Sequence, residues 1–214
     1  MEDFHMHYEH IPSLANVYAK GKKKHLQFAT LLFSSGCTLS LISEQLLEDV
    51  KHELLTELNL TVSVLFEGEC IKNAKVFEIS LMVKGDKFIR VKVLAVPTLF
   101  IRFPCIRPII RESVLEEFEH LDLSFNFEEE KETNIVNIDM LIGQDLYWTL
   151  MRNNIFRPKN SKIVAQESVF GWILGGNCSS GNDTNNTQKN SIVRTKSGRV
   201  SRRPLKLSYT RKNK

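Results

Sequence analysis

Apolar and polar positions along residues 13–100 alternate or cluster in short runs, the pattern of strands and not of long helices. Residues 13–19 read as a first strand, entered at Pro12, since proline is tolerated at the start of a strand but not within its ladder. A basic turn, Gly21-Lys22-Lys23-Lys24, leads to a second strand over 25–33, mostly apolar and therefore expected to be central. Ser34-Ser35-Gly36-Cys37 interrupts it as a loop, and 38–42 resumes extended structure. Ser43 reads as an N-cap, because Glu44, Leu46, Leu47, Val50, Leu54 and Leu55 follow at helical spacing.

Two further strands are expected at 61–66 and 71–83, around Glu67-Gly68-Glu69, and a hairpin turns at Lys84-Gly85-Asp86 to return through 87–96. Pro97, Pro104 and Pro108 end regular strand. Beyond them the pattern predicts a short amphipathic helix over 112–120, an acidic loop over 125–134 and an apolar run over 135–142. After Gly143 it predicts a helix over 144–152, then one last strand over 162–174. From there the composition turns to Gly, Asn, Ser and Thr and then to basic residues, too little apolar surface to offset ordering entropy. Three parts follow: a flexible 1–11, a folded 12–175 and a disordered 176–214.

An apolar fraction of 42% in 214 residues suffices for one packed domain. The net charge of +4 is unevenly placed: 191–214 holds nine Lys/Arg and no Asp/Glu, leaving 20 basic and 25 acidic residues in 1–190. That asymmetry fits either a solubilising or nuclear-targeting arm or a non-specific nucleic-acid contact through phosphates. The sequence shows no secretory signal and no stretch that would span a membrane, so an intracellular protein, cytoplasmic or nuclear, is expected.

Cys37, Cys70, Cys105 and Cys178 are far apart and without Cys-x-x-Cys spacing, which predicts reduced thiols and neither a zinc site nor a disulfide framework. His5, His7 and His10 lack carboxylate or thiolate companions and read as a solvated segment, so no metal and no cofactor is expected. Asn-x-Ser/Thr sequons begin at Asn59, Asn177, Asn182 and Asn185, and read as chance matches. Tyr147, Trp148 and Trp172 read as core residues beside apolar strands, with a base-stacking platform as the alternative.

Three segments in order carry a family resemblance. Ala29-Thr-Leu-Leu-Phe-Ser34-Ser35-Gly36-Cys37-Thr-Leu-Ser-Leu-Ile42 resembles the active-site segment of retropepsin-like aspartic peptidases, in which apolar residues lead into Asp-Ser/Thr-Gly. Ile138-Asp-Met-Leu-Ile142-Gly143 resembles the apolar-apolar-Gly segment that precedes the C-terminal helix of that fold and packs behind the active-site loop. Ile163-Val-Ala-Gln-Glu-Ser-Val-Phe170-Gly171-Trp172, with Leu141-Ile-Gly-Gln-Asp145 ahead of it, is similar to the peptidase region of BEL/Pao-type retroelement polyproteins. The resemblance spans 12–175 and implies a mainly β, retropepsin-like closed barrel with one or two short helices. It also implies a homodimer paired through terminal strands, with 162–174 as the candidate strand, and a polypeptide substrate. The basic stretch from Arg194 to Pro204 resembles the ends of retroelement polyproteins, which suggests a deletion-joined or domesticated remnant.

Ser34 occupies the position at which the family carries its catalytic aspartate. Aspartic peptidases share one proton between two carboxyl groups, one per subunit in a retropepsin; one activates water while the other donates to the scissile carbonyl. A serine hydroxyl is no general base near neutral pH, and a homodimer would lose both carboxylates together. Asp49, Asp139 and Asp145 offer no evident replacement, and no Gly-x-Ser-x-Gly elbow with His and Asp companions supports a serine nucleophile.

The resemblance further implies that Ser35 braces the paired loops across the dimer, that Gly36 permits the loop's backbone, and that Ile142 and Gly143 form the motif behind it. Glu67, Gly68 and Glu69 align with the flap tip, although acids flank the glycine. The expected function is that of a catalytically inactive, retroelement-derived aspartic peptidase domain. The alternatives are an active endopeptidase processing a polyprotein, or a basic-tailed nucleic-acid-binding remnant.

Overall fold

The computed structural model describes residues 10–177, apart from 24, 60–61, 64–69, 72, 100, 105–109, 111, 126–134 and 160. It describes the backbone alone at 62–63, 70–71, 102–104, 112, 135, 193–194 and 200–201. The chain divides into two units, 1–179 and 180–214.

In chain order the first unit begins with β1 (His10–Ile11), β2 (Leu14–Lys20), β3 (Leu26–Phe33), β4 (Leu41–Ser43) and α1 (Glu44–Asp49). It continues with β5 (His52–Leu58), β6 (Val62–Ser63), β7 (Cys70–Ile71), β8 (Ala74–Val83) and β9 (Lys87–Val96). Then come β10 (Arg102–Pro104), α2 (Glu112–Leu115) with a 3-10 turn at Glu116–Phe118, β11 (Ile135–Asn137), β12 (Met140–Ile142) and α3 (Gln144–Leu150). The unit closes with β13 (Met151–Phe156), β14 (Ile163–Ser168) and β15 (Gly171–Asn177). In the second unit β16 (Val193–Arg194) pairs antiparallel with β17 (Val200–Ser201).

The fold is mainly β, and six strands close into a barrel in the order β2-β3-β12-β4-β9-β8, with Ala19 of β2 opposite Leu81 of β8 completing the circuit. Period-two alternation fills it: Ala15, Val17 and Ala19 of β2, Ala29, Leu31 and Phe33 of β3, and Phe77, Ile79 and Leu81 of β8 share one core with Val91, Val93 and Ala95 of β9. Met140 and Ile142 of β12 join them, both fully buried. Each such Leu, Ile or Val stabilises the fold by about 1.5–3 kcal/mol relative to exposure. β5 lies outside β8 as a seventh strand.

A four-stranded sheet, β1-β15-β14-β13, covers a second core of Ile11, Leu14, Phe118, Phe125, Val136, Ile138, Ile163, Ala165 and Leu174. β3 is apolar on both faces for this reason: Leu31 and Phe33 enter the barrel while Leu32 packs on the second core.

Several sequence expectations hold closely. The Ser43 hydroxyl caps α1 by accepting the Leu46 N–H at 3.2 Å. The β8–β9 hairpin turns at Lys84-Gly85-Asp86, with φ of +86° at Gly85 and +59° at Asp86.

Three expectations are corrected. The helix after Ser43 stops at Asp49, because Val50 is extended and bridges Gly21 while Lys51 N–H donates to Lys20 O at 2.7 Å. The chain then pairs as β5 with β8, leaving Leu54 and Leu55 exposed. The helix expected over 144–152 ends at Leu150, and Arg152 belongs to β13. The single strand expected over 162–174 is a hairpin broken at Val169 and Phe170, where Phe170 N–H donates to Ser168 Oγ at 3.1 Å and Ser168 Oγ donates to Gly171 O at 2.8 Å. The apolar run over 135–142 is likewise two strands, interrupted at Ile138 and Asp139. Pro104 is the last residue of β10 and does not precede its end.

Candidate functional site

The loop from Ser34 to Ser40 joins β3 to β4, and β12 lies between those two strands, parallel to β3 (Ile142 opposite Phe33) and antiparallel to β4 (Leu141 opposite Leu41). The two ends of the loop are thus separated by a strand that arrives about a hundred residues later. Ser34 N–H donates to Ile142 O at 2.9 Å, which fixes the loop's first residue on the end of β12.

From there the loop and the start of α3 are joined group by group. The N–H groups of Gln144 and Asp145 are orphan donors of the helix's first turn. They reach Cys37 O at 2.7 Å and Thr38 O at 3.4 Å. The Gln144 side chain donates to Ser35 O at 2.7 Å. Gly143 leaves no room for a side chain: a Cβ there would lie 2.5 Å from the Leu39 carbonyl carbon and oxygen. Its φ of −89° is ordinary, so close approach, not backbone conformation, requires the glycine.

Beneath the loop Ser40, only 1% exposed, donates through Oγ to Asp145 Oδ1 at 2.6 Å and through N–H to Oδ2 at 3.1 Å. The same Oγ accepts the Gly143 N–H at 2.9 Å, and Ser40 O accepts the Leu94 N–H at 3.0 Å. Every polar group of this buried serine is therefore matched. Ser40 was absent from the residues singled out in the sequence, and the only signal there was an acid two residues after the Ile142-Gly143 pair.

Of the sequence-nominated residues, Ser34, Ser35 and Gly36 meet Ile142 and Gly143 across this junction. Ser35 and Gly36 are exposed, and Ser34 is partly buried. Gly36 has no positive φ, and a Cβ there would meet nothing nearer than Ser34 Oγ at 3.9 Å. The backbone reason expected for that glycine is therefore not what the loop uses. Glu67, Gly68 and Glu69 lie outside the described residues, between β6 and β7. His5 and His7 lie outside them too, while His10 pairs with Asn177 in the terminal sheet.

The Ser34 hydroxyl donates to the Cys37 thiol at 3.4 Å, and no carboxylate or histidine bonded to it is found among the described residues. Asp139 is turned to other work. Its Oδ2 accepts Thr30 N–H at 2.8 Å and its carbonyl accepts Ser43 N–H at 3.0 Å, tying β12 to both flanking strands. Burial pushes its carboxyl above the ordinary 3.8, against the lowering by the Thr30 N–H. Asp49 ends α1, with its carbonyl accepting Lys22 N–H. With Asp145 held by Ser40, none of the three acids is bonded to the Ser34 side chain.

The aromatic residues do not make one platform. Tyr147 packs edge-on to Phe33 at 6.2 Å, Trp172 packs on the second core, and Trp148 is 71% exposed and so is not core. The strand region 162–174, expected to be free for subunit pairing, is already paired on both sides: β14 lies between β15 and β13, and β15 between β1 and β14. The sheet's outer strands are β1 and β13.

Among the described residues no group of three or more His, Cys, Asp or Glu could hold a metal ion, and no helix is long and apolar enough to cross a membrane. No model of a known family matches the chain, and neither a curated protein nor a solved structure is significantly similar to it.

Proposed function

We propose that residues 12–175 are a retropepsin-like aspartic peptidase domain of retroelement origin that keeps the peptidase frame and has lost its chemistry. One observation carries the reading: β12 runs between β3 and β4 and ends against the Ser34 loop, the meeting of segments that the resemblance implies. The β5–β8 hairpin supports it as well. Its stem is extended by the β6–β7 pair toward 64–69, where a flap tip belongs.

On this reading the domain works as a homodimer, and a polypeptide lies between the loop and the hairpin. Two serine hydroxyls then stand where two carboxyls would activate water, so the bound chain is held and not cut.

The test is cleavage of a peptide library at mildly acidic pH, with and without pepstatin, by the natural protein and by Ser34→Asp, with the subunit count of each measured by light scattering. The natural protein should be silent and the variant should cleave in a pepstatin-sensitive way. Pepstatin-sensitive cleavage by the natural protein would show the active endopeptidase instead. A folded, dimeric Ser34→Asp protein that neither cleaves nor binds pepstatin would overturn the assignment of Ser34.

A further inference from the structure

We infer that the second unit carries a nucleic-acid-binding arm at residues 194–203, an inference independent of the peptidase reading. Five of these ten residues are basic: Arg194, Lys196, Arg199, Arg202 and Arg203. The whole of 191–214 contains no acid to oppose them. The backbone pairs Val193 with Ser201 and Arg194 with Val200, so the segment folds back on itself between these positions. Ten residues that would span about 33 Å when extended are thereby brought within roughly half that length. Five cations so gathered meet a dense line of negative charge better than a flexible chain would.

The residue types favour phosphate on a nucleic acid over an anionic membrane surface. Four of the five cations are arginines, whose planar forks bond phosphate oxygens two at a time. Thr195, Ser197 and Ser201 interleave with them and supply hydroxyl donors of the kind that fix a backbone phosphate. A membrane-surface segment would alternate its cations with large apolar or aromatic anchors, and 194–203 has Val200 alone. None of this reads bases, so the arm binds without sequence preference.

The experiment is fluorescence anisotropy of a labelled single-stranded RNA with the full chain over a salt series. Two variants accompany it, one with Arg194, Lys196, Arg199, Arg202 and Arg203 all changed to Gln, the other with Lys206, Arg211, Lys212 and Lys214 changed to Gln. Five phosphate contacts predict a slope of log affinity on log salt of about −3.5, hence roughly a hundredfold loss for a fourfold rise in salt. The first variant should lose most of the binding and flatten the slope, and the second should keep most of both. The inference is overturned by an absence of binding at low salt or by full binding in the first variant. It is equally overturned by equal losses in the two variants, or by tighter binding to phosphatidylserine vesicles than to RNA.

Discussion

The hydroxyl of Ser40 and the carboxylate of Asp145 meet at 2.6 Å across 105 residues of chain, and the Ser40 N–H binds the second carboxylate oxygen at 3.1 Å. This two-point bond holds the end of the β3–β4 loop against the first turn of α3. Asp145 sits at the surface end of the pair and Ser40 at the buried end, so the acid keeps its solvation while the serine gives up none of its hydrogen bonds. An acidic residue in a helix's first turn also opposes the positive end of that helix. The Ser34 loop thus takes its position from groups that are not themselves candidates for chemistry.

Replacing Asp145 with Ala should therefore cost more than an ordinary surface change. A buried hydroxyl and a buried N–H lose their acceptors together, which costs about 1–3 kcal/mol. Denaturant unfolding of Asp145→Ala, Ser40→Ala and the double variant measures the pair. A coupling of at least about 0.5 kcal/mol is expected, as for residues in one hydrogen-bond network. Strict additivity would show that the two act separately.

The glycines of the site should behave in opposite ways. Gly143→Ala places a methyl 2.5 Å from the Leu39 carbonyl, which is backbone and cannot swing aside. Overpacking of that kind costs about 1–3 kcal/mol or more. Gly36→Ala meets only the Ser34 hydroxyl at 3.9 Å and needs no unusual φ, so it should be neutral within about 0.5 kcal/mol. Thermal midpoints of the two variants read the difference, and a costly Gly36→Ala would refute this account of the loop.

Much of the barrel was legible in the sequence, since β2, β3, β8 and β9 alternate clearly or are bounded by Gly, Pro and basic turns. β5 and β13 were not. His-Glu-Leu-Leu-Thr-Glu-Leu carries good helix formers, and its strand conformation comes from pairing with β8, a partner about twenty residues away that no local pattern announces. Both strands are outermost in their sheets and expose most residues, so neither shows the half-buried alternation by which strands are read. For the site, Ser34 and Gly143 were visible through a motif. The Ser40–Asp145 bond joins two residues of common type at long range and leaves no trace in local spacing.

Asp139 gives the fold a pH dependence of definite sign. Its carboxyl is raised above 3.8 by burial, so over the window from 3.8 up to the raised native value the folded state binds more protons than the unfolded state. Stability from this group is therefore fully present below 3.8 and declines as pH rises through the native value. Asp139→Asn can still accept the Thr30 N–H but carries no charge, so the stability of the natural protein relative to Asp139→Asn should fall on going from acid to neutral pH. Chemical denaturation of both proteins at several pH values checks it, and a difference that grows in favour of the aspartate as pH rises would sink the claim.

Gly171 tests whether the segment after β13 is a hairpin or one continuous strand. Its φ is +125°, a conformation that only glycine adopts without strain, and a Cβ would also stand 2.8 Å from the Asp122 carbonyl oxygen. Trp172 N–H donates to that same oxygen at 2.8 Å, so the clash falls on a hydrogen bond that fastens the hairpin to the second core. Gly85 has a positive φ too, at +86°, but open space where a Cβ would stand, so Gly85→Ala should carry backbone strain alone, about 1 kcal/mol. Gly171→Ala carries strain and collision together and should lose at least about 2 kcal/mol more in denaturant unfolding. In a continuous strand position 171 would be extended and accept alanine readily, so equal stability of Gly171→Ala and the natural protein would restore the single strand that the apolar run suggests.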